Sequence, residues 1–314
     1  MMHKTRSYSI AVSLVLCLVA LILGLSTAAQ AEDTHIVQMP FVLKDYPLQL
    51  SGQVVFVSNR DVDPEIYLMD YDGSNLVQLT YNNVADSSPD WSPDGTHIVY
   101  SSNLIDDVRE IYVMDADGEN IVRLTTIGEC NYPKWSPDGG RIAFTCHNLG
   151  DILYTMDPDG GNLLPITPTI NDIQELTWSP DSEQIAFSTM FSSPAGIYVI
   201  DAEGGTPQPI FEREYVSGVA WSPDGRWLAM NSMTIPSYTH DLFLYDLENE
   251  TLTRLTNTVT NHFSPNWFPG GQYLVFQGFL EDAMTSYIYT IAQNGTHLQQ
   301  ISDGGSDYGP DWKP

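Results

Sequence analysis

Short apolar runs separated by turn residues recur along the chain from Val54 to the C-terminus. Runs such as 97–100 (HIVY) and 141–144 (RIAF) have apolar residues at successive positions, which predicts strands buried on both faces between neighbouring sheets. A second strand pattern follows at 65–70 (EIYLMD) and 110–115 (EIYVMD), and a shorter run then ends in a Leu-Thr or Ile-Thr pair. The pattern predicts an all-β chain built from repeated groups of strands.

A tryptophan ahead of each group defines the length of the repeat. It usually opens the sequence Trp-Ser-Pro-Asp-Gly, whose last three residues are those that tight turns favour. An Asp-Gly pair such as Asp72–Gly73 marks a second hairpin in several periods. The tryptophans recur every 43 to 46 residues, at Trp91, Trp135, Trp178, Trp221, Trp267 and Trp312. Four strands in a period of about 44 residues are typical of one β-propeller blade.

The number of blades follows from the length of the repeated region. Residues 51–314 number 264, which is six periods of 44. The first group lacks a tryptophan strand before it, whereas the chain ends two residues after Trp312. We therefore expect a six-bladed β-propeller with four antiparallel strands per blade, in which the strand around Tyr308–Trp312 completes the first blade and removes open sheet edges.

These motifs resemble the TolB-type propeller repeat, a relative of the WD repeat with Pro-Asp in its first turn. The resemblance covers residues 51–314 and implies the six-bladed fold. TolB proteins also have an α/β domain in front of the propeller, and we expect it to be absent here because only 19 residues separate the predicted mature N-terminus from the first blade. The motif residues form turns and blade cores, so the resemblance implies little about function.

The first 31 residues have the pattern of a secretory signal peptide. Lys4 and Arg6 precede a 16-residue apolar run at 10–25, and 29–31 (AQA) is a small-residue cleavage site. We predict a secreted, periplasmic or cell-surface protein with no transmembrane segment after cleavage. The alternative is a retained anchor, although the run is shorter than the ~20 residues of a bilayer span. Residues 32–50 are predicted to form a tether or an extra strand.

The chain is strongly acidic, with 12 Lys and Arg against 40 Asp and Glu and a net charge of −28. Removal of residues 1–31 takes away two basic and no acidic residues, which gives −30. This charge excludes nucleic acid as a partner because phosphates would be repelled. Twelve of the 40 acidic residues lie in or beside hairpin turns, where aspartate is favoured for turn hydrogen bonds, so they require no ligand.

The remaining acidic residues are expected on one face of the disc. If both hairpins of a blade lie on one face, the connections between the second and third strands and between blades lie on the other. Acidic and aromatic residues of these connections are Asp61, Asp63, Asp106, Asp107, Asp172, Glu212, Glu214, Glu281 and Asp282, with Tyr81, Phe191, Tyr215, Tyr238 and Phe279. We predict a monomeric, non-catalytic propeller that requires no cofactor and binds a partner there. The partners that suit this surface are a protein or peptide, including a basic one, or a glycan.

Catalytic motifs are absent from the sequence: there is no G-x-S-x-G, no H-E-x-x-H and no C-x-x-C. The alternative to a binding protein is a carbohydrate-active enzyme, a metal-dependent glycan lyase or hydrolase with histidines over the channel. His147, His240 and His262 fall on the expected functional face, but at non-equivalent positions of different blades. Surface or locally hydrogen-bonded histidines are the interpretation that this spacing favours.

The mature chain has two cysteines, Cys130 and Cys146, which lie equally far from the turn residue Asp138. They should therefore face each other on adjacent strands, and an extracytoplasmic compartment favours a disulfide. The alternative is two buried free thiols, because disulfides between adjacent strands are geometrically demanding.

A possible binding site lies five residues before the tryptophans, where each chain segment enters its inner strand. Asp86, His262 and Asp307 occupy this position in consecutive blades once the ring closes, and we expect them to line one arc of the channel mouth. Two carboxylates, Asp86 and Asp307, could hold calcium, or the arc could hold an ammonium or guanidinium group of a partner. The alternative is that each side chain hydrogen-bonds only to nearby backbone or water.

Overall fold

The computed structural model describes residues 52–314 except 106, 148–149, 171, 192–193, 236, 259 and 280–284. The predicted signal peptide at 1–31 and the predicted tether or extra strand at 32–50 lie outside the described residues. Within the described part the chain forms 24 strands in six antiparallel sheets of four. This arrangement confirms the predicted all-β, six-bladed propeller.

The blades follow one another along the chain, each from its inner to its outer strand. Blade 1 contains β1 (Gln53–Ser58), β2 (Glu65–Asp70) and β3 (Val77–Gln78). Blade 2 contains β4 (Asp86–Trp91), β5 (His97–Ser102), β6 (Glu110–Asp115) and β7 (Val122–Arg123). Blade 3 contains β8 (Cys130–Trp135), β9 (Ile142–His147), β10 (Asp151–Met156) and β11 (Leu164–Pro165).

The second half of the ring has the same order. Blade 4 contains β12 (Ile173–Trp178), β13 (Gln184–Thr189), β14 (Gly196–Asp201) and β15 (Gln208–Glu212). Blade 5 contains β16 (Val216–Trp221), β17 (Trp227–Thr234), β18 (Thr239–Asp246) and β19 (Thr251–Arg254). Blade 6 contains β20 (His262–Trp267), β21 (Tyr273–Phe279), β22 (Ser286–Ala292) and β23 (Gln299–Gln300), and β24 (Asp307–Trp312) returns to blade 1.

The C-terminal strand closes the ring. β24 pairs antiparallel with β1, with Trp312 opposite Val54 and Asp307 opposite Ser58. It also contacts the inner strands of both neighbouring blades, β20 and β4. The prediction that the last strand completes the first blade is confirmed, and the inner edge of β1 is hydrogen-bonded instead of exposed.

Apolar side chains between consecutive blades form the core. In one such cluster Val55 and Ile66 of blade 1 pack with Trp91, Ile98 and Tyr100 of blade 2, and all five are buried. Comparable clusters join other neighbouring blades. The core therefore lies between the sheets, which explains why the second and third strands of each repeat are apolar on both faces.

The aspartates of the Trp-Ser-Pro-Asp-Gly turns accept hydrogen bonds from residues of the same turn. Asp94 Oδ1 accepts hydrogen bonds from the hydroxyls of Ser92 (2.6 Å) and Thr96 (2.7 Å), and these bonds lower the pKa of Asp94 to about 2. Gly95 donates its N–H to the Ser92 carbonyl (2.8 Å) with a φ of 66°, a backbone conformation that favours glycine. The serine–aspartate bond recurs in blades 3, 4 and 5. These carboxylates are thus part of the turns.

The Leu-Thr pairs fix the opposite end of each blade. The Thr80 hydroxyl accepts the N–H of Ile66 (2.9 Å), which joins the end of the outer strand to the start of the third strand in blade 1. Equivalent bonds are made by Thr125, Thr167, Thr256 and Ser302. We call this end of the disc, with the connections between second and third strands and between blades, the loop face, and the opposite end the turn face.

Candidate functional site

The residues that begin the inner strands lie at the loop face and are all buried. They are Asp86, Cys130, Ile173, Val216, His262 and Asp307. Each packs into the junction with the preceding blade, and the chemistry of the junction differs from one pair of blades to the next.

Asp307 is neutralised by an arginine. Arg60, in the connection between β1 and β2, donates Nη2 to both carboxylate oxygens of Asp307 (3.1 and 3.2 Å), and its guanidinium lies over the rings of Phe56 and Tyr67. Burial raises the pKa of Asp307, whereas hydrogen bonds from Ser58 and others, and the charge of Arg60, oppose the rise. Asp307 already has a cation as its partner.

His262 is uncharged at neutral pH. Burial lowers its pKa to about 4, although the nearby charge of Asp241 acts in the opposite direction. Its Nδ1 lies 3.1 Å from the Thr256 hydroxyl and its Nε2 lies 3.3 Å from the Thr260 hydroxyl. The ring packs edge-on against Phe276, with centroids 5.2 Å apart. This environment is that of a core histidine with two hydroxyl partners.

Asp86 differs from Asp307 because no lysine or arginine in the described part of the chain forms an ion pair with it. Asp86 Oδ2 accepts a hydrogen bond from Asn82 Nδ2 (2.8 Å). Burial raises the pKa of Asp86, whereas the neighbouring side chains of Ser102, Asn82 and Thr80 oppose the rise. Glu65, at the start of β2, shares Asn82 as a partner, because the backbone N–H of Asn82 donates to Glu65 Oε1 (2.7 Å).

The predicted arc therefore comprises three separate junctions. Among the described residues, no hydrogen bond or ion pair joins any two of Asp86, His262 and Asp307. Binding of calcium or of a partner by these residues stays a prediction. Arg60 supplies positive charge at Asp307, whereas no basic side chain of the described residues pairs with Asp86.

The disulfide prediction is confirmed. Cys130 and Cys146 are bonded, and they stand directly opposite each other in β8 and β9 with their Cα atoms 4.0 Å apart. Cys130 begins the inner strand of blade 3, just as Asp86 begins the inner strand of blade 2. The disulfide therefore lies at the junction of blades 2 and 3, where the junction of blades 1 and 2 has Asp86. It ties the inner strand of blade 3 to its neighbour.

A charged cluster at the channel was not predicted. Lys134 Nζ donates to Asp90 Oδ1 (2.8 Å), and the second oxygen of Asp90 accepts the backbone N–H of Trp135 (2.7 Å). Asp311 accepts the N–H of Trp91 (2.8 Å) in the same way, so these carboxylates link each blade to the next. Lys134, Asp90 and Asp311 all immediately precede a tryptophan, which is the sequence signal that could have identified them.

The protonation of this cluster reflects its burial. Burial raises the pKa of Asp311 to about 7, with Asp90 contributing and Lys134 opposing. Burial alone would lower the pKa of Lys134, but Asp90 and Asp311 outweigh it and raise that pKa above its usual range. Lys134 keeps 26% of its side-chain surface accessible. The ion pair of Lys134 with Asp90 joins blades 2 and 3 electrostatically.

The loop-face histidines do not form a catalytic constellation. His147 Nδ1 pairs with Asp151 (2.9 Å), and His240 stacks against Phe263 with its pKa lowered to about 4 by burial. In the described part of the chain, no group of three or more His, Cys, Asp or Glu side chains could hold a metal ion. The site therefore offers no ready metal centre for lyase or hydrolase chemistry within those residues.

A groove of about 560 Å³ on the loop face lies between two connections of blade 4. Phe191, which is 58% exposed, and Tyr215 contribute aromatic surface, and the exposed residues Glu212 and Glu214 contribute carboxylates. Arg213, in the same connection, donates to the Ser232 hydroxyl (2.8 Å) and lies over the Phe243 ring. Three acidic residues predicted for this face, Asp106, Glu281 and Asp282, lie outside the described residues.

Residues 51–174 and 151–314 match the family described as the TolB beta propeller domain. Together the two matches cover all six blades. The chain belongs to the TolB β-propeller family. The resemblance inferred from the Trp-Ser-Pro-Asp-Gly and Leu-Thr motifs is thereby confirmed.

Relatives match over shorter segments. A TolB homolog of Chlorobaculum tepidum is 47% identical over 49 residues, which are 16% of this chain and 11% of that protein. An uncharacterized protein of Agrobacterium fabrum is 28% identical over 137 residues, 43% of this chain and 44% of that protein. The matched part of the chain thus spans less than half the length of either relative.

Solved structures share the fold. TolB from Acinetobacter baumannii superposes with a TM-score of 0.73 at 22% identity, over 84% of this chain and 67% of that one. An oligogalacturonate lyase in complex with manganese gives 0.56 at 17% identity, over 80% and 74%. At these identities the likeness concerns the fold alone. No helix long and apolar enough to cross a bilayer occurs in the part of the chain that the structure describes.

Proposed function

We propose that this protein is a secreted or periplasmic, non-catalytic binding propeller that holds a protein or peptide partner on its loop face. The observation that carries the proposal is the blade 4 groove, where the exposed ring of Phe191 stands beside Glu212 and Glu214. Aromatic side chains dominate the energetics of protein interfaces, and carboxylates at the rim favour a basic partner.

Several observations support the loop face over the turn face. Turn-face aspartates such as Asp94 are occupied by their own turns, as the hydroxyl bonds of Ser92 and Thr96 show. The net charge of −28 adds a long-range attraction for a basic partner. A TolB protein of Geobacter sulfurreducens, 46% identical over 48 residues, is named as a Tol-Pal system protein, which fits a binding role in a multi-protein assembly.

A glycan lyase is the second candidate, suggested by the shared fold of the manganese-bound oligogalacturonate lyase. Such chemistry requires a positioned metal or acid–base pair. His147, His240 and His262 each have a separate partner, which disfavours this candidate. Metal analysis of the purified protein with a turnover assay on acidic polysaccharides would separate the two: bound manganese together with cleavage would support the lyase.

The binding proposal is tested by selecting peptides from a random library displayed on phage, using the mature protein as target. We expect enrichment of basic peptides that contain an aromatic or large aliphatic residue. The variant Phe191→Ala with Glu212→Gln should weaken binding of a selected synthetic peptide by about tenfold or more, because it removes an interface anchor and a charge.

A matched control lies on the turn face. Val122→Ala with Glu119→Gln removes an apolar side chain of similar exposure (53%) and an exposed carboxylate from blade 2. This variant should bind the peptide as the wild type does. Equal loss in both variants, or no loss in the groove variant, would show that the groove is not the docking surface.

A further inference from the structure

Glu65 and Asp86 form a buried carboxyl pair at the junction of blades 1 and 2. They are 1% and 0% exposed, and Asn82 donates hydrogen bonds to both carboxyl groups, which places them side by side. Asp63 lies nearby, and its charge acts on Glu65. Burial of a carboxylate is strongly unfavourable without a compensating cation, and two adjacent carboxylates repel each other in addition.

The hydrogen bonds of the pair satisfy only half of its oxygens. The N–H of Asn82 donates to Glu65 Oε1 (2.7 Å), and its side-chain Nδ2 donates to Asp86 Oδ2 (2.8 Å). Glu65 Oε2, Asp86 Oδ1 and Asp63 Oδ2 are buried and have no hydrogen-bond partner among the residues that the structure describes. Carboxylate oxygens are acceptors only, so they cannot satisfy one another unless a proton or a cation lies between them.

Equivalent acids in other blades have an arginine. Glu110, which begins the third strand of blade 2 as Glu65 does in blade 1, is bonded by Arg123 Nη2 (3.1 Å). Asp241 of blade 5 is bonded by Arg254 Nη2 (2.6 Å). Both arginines stand two residues before the threonine that ends the outer strand. The guanidinium supplies the positive charge that the buried acid requires.

Blade 1 has glutamine at that position, and it performs only part of the arginine's role. Gln78 Nε2 donates to the Thr80 carbonyl (2.9 Å), just as Arg123 Nε donates to the Thr125 carbonyl (2.7 Å). A glutamine has no second nitrogen with which to reach Glu65. Among the described residues, no lysine or arginine forms an ion pair with Glu65 or Asp86. The junction of blades 1 and 2 thus holds two buried carboxyl groups beside a glutamine that replaces the guanidinium.

We propose that a hard divalent cation of the calcium type binds between Glu65 Oε2 and Asp86 Oδ1 and replaces the missing guanidinium. Calcium accepts carboxylate, carbonyl, hydroxyl and water oxygens in flexible geometry, and the unpartnered atoms of Glu65 and Asp86 are carboxylate oxygens. The described residues contain no set of three or more acidic, His or Cys ligands for one metal. Two carboxylates therefore bind the ion directly, water and neutral oxygens complete its shell, and Asp63 adds charge.

A shared proton is the competing occupant. Burial raises the pKa of Glu65 to about 7, with Asp86 and Asp63 contributing and hydrogen bonds from Thr80 and Asn82 opposing. The other titratable side chains whose charges interact with the pair are Tyr67, Tyr100, Tyr112 and Tyr308. A folded pKa above the unfolded value means that stability falls as pH rises through it. The cation should bind above that pKa and restore the lost stability.

The test is the thermal midpoint of chelator-treated mature protein with added CaCl₂ or MgCl₂, at about pH 8 and about pH 5, on either side of the Glu65 pKa of about 7. At the higher pH we expect saturating calcium to raise the midpoint by roughly 5 °C, with a smaller effect of magnesium. At the lower pH the shift should vanish. Absence of a calcium shift at the higher pH would show that the pair holds only a proton.

Three variants locate the site. Glu65→Gln should abolish the calcium shift, whereas Glu110→Gln, an equally buried acid that has its own arginine, should retain it. Gln78→Arg should raise the midpoint in calcium-free buffer and remove the calcium shift, because it supplies the guanidinium internally. This variant adds an interaction and so remains informative if Glu65→Gln fails to fold. A calcium shift that persists in Gln78→Arg and Glu65→Gln would place the ion elsewhere and overturn the proposal.

Discussion

Trp312→Ala tests the packing that closes the ring. Trp312 is 2% exposed and packs with Val54 and Phe56 of blade 1 and with Val275 of blade 6. The ring of Phe268 meets it edge-on, with centroids 5.1 Å apart. Truncation of a buried tryptophan costs about 3–5 kcal/mol through lost transfer energy and the cavity left behind. Its indole N–H has no partner, so the substitution also removes an unsatisfied donor, and we expect a cost of about 3–4 kcal/mol.

Trp267→Ala is the matched control. Trp267 is buried to a similar degree, but its Nε1 donates to the Ala220 carbonyl (3.1 Å), which truncation would leave unsatisfied. We therefore expect it to cost about 1 kcal/mol more than Trp312→Ala. Urea unfolding followed by circular dichroism measures both. A loss below about 1 kcal/mol for Trp312→Ala would refute the inference that β24 packs between blades 1 and 6, because that loss is far less than a buried tryptophan contributes.

Deletion of residues 306–314 removes the closing strand altogether. The deletion exposes the inner edge of β1 and the surface of blade 6 that β24 covers. We therefore expect a lower thermal midpoint and a broader unfolding transition. A deletion variant that melts at the wild-type temperature with wild-type cooperativity would show that β24 does not close the ring.

Three further changes in stability follow from the structure. Reduction of the Cys130–Cys146 bond should lower the unfolding free energy by roughly 3 kcal/mol in the chain-entropy model, measured by urea melts with and without reductant. Hydroxyl donors in the turn that contains Asp94 lower the pKa of Asp94 to about 2. The stabilisation by Asp94 is therefore present above about pH 4 and is lost as the pH falls through 2. In Asp94→Asn the stability measured in acid melts should depend less on pH within that window than it does in the wild type. Arg254→Met should cost about 3–5 kcal/mol in urea melts because it leaves the buried Asp241 unpaired, and adding Asp241→Asn should recover part of the loss.

The blade architecture could be predicted because its signals are local and repeated. Turn residues, strand patterns and the tryptophan spacing each lie within one period, and six copies reinforce one another. Closure by β24 followed from counting strands, and the disulfide followed from the equal distances of Cys130 and Cys146 from one turn. These inferences required strand register but no knowledge of side-chain direction.

The site could be predicted only in part, because its chemistry depends on partners that are distant in sequence. The position of Asp307 at the start of an inner strand was predicted, but its partner Arg60 lies 247 residues earlier. The pairing of Asp86 with Glu65 depends on how one blade packs against the next, which a repeat pattern does not specify. The channel residues Asp90 and Lys134 were missed because the residue before each tryptophan varies among the blades.

Amide hydrogen exchange of the mature protein, with and without a peptide selected on it, tests the docking of a partner on the loop face most directly. The peptide should protect residues 190–191, 194–195 and 212–215, which border the groove, and leave the turns 92–96 and 136–140 unchanged. Protection confined to the turn face, or binding without protection at the groove, would contradict the proposed docking surface.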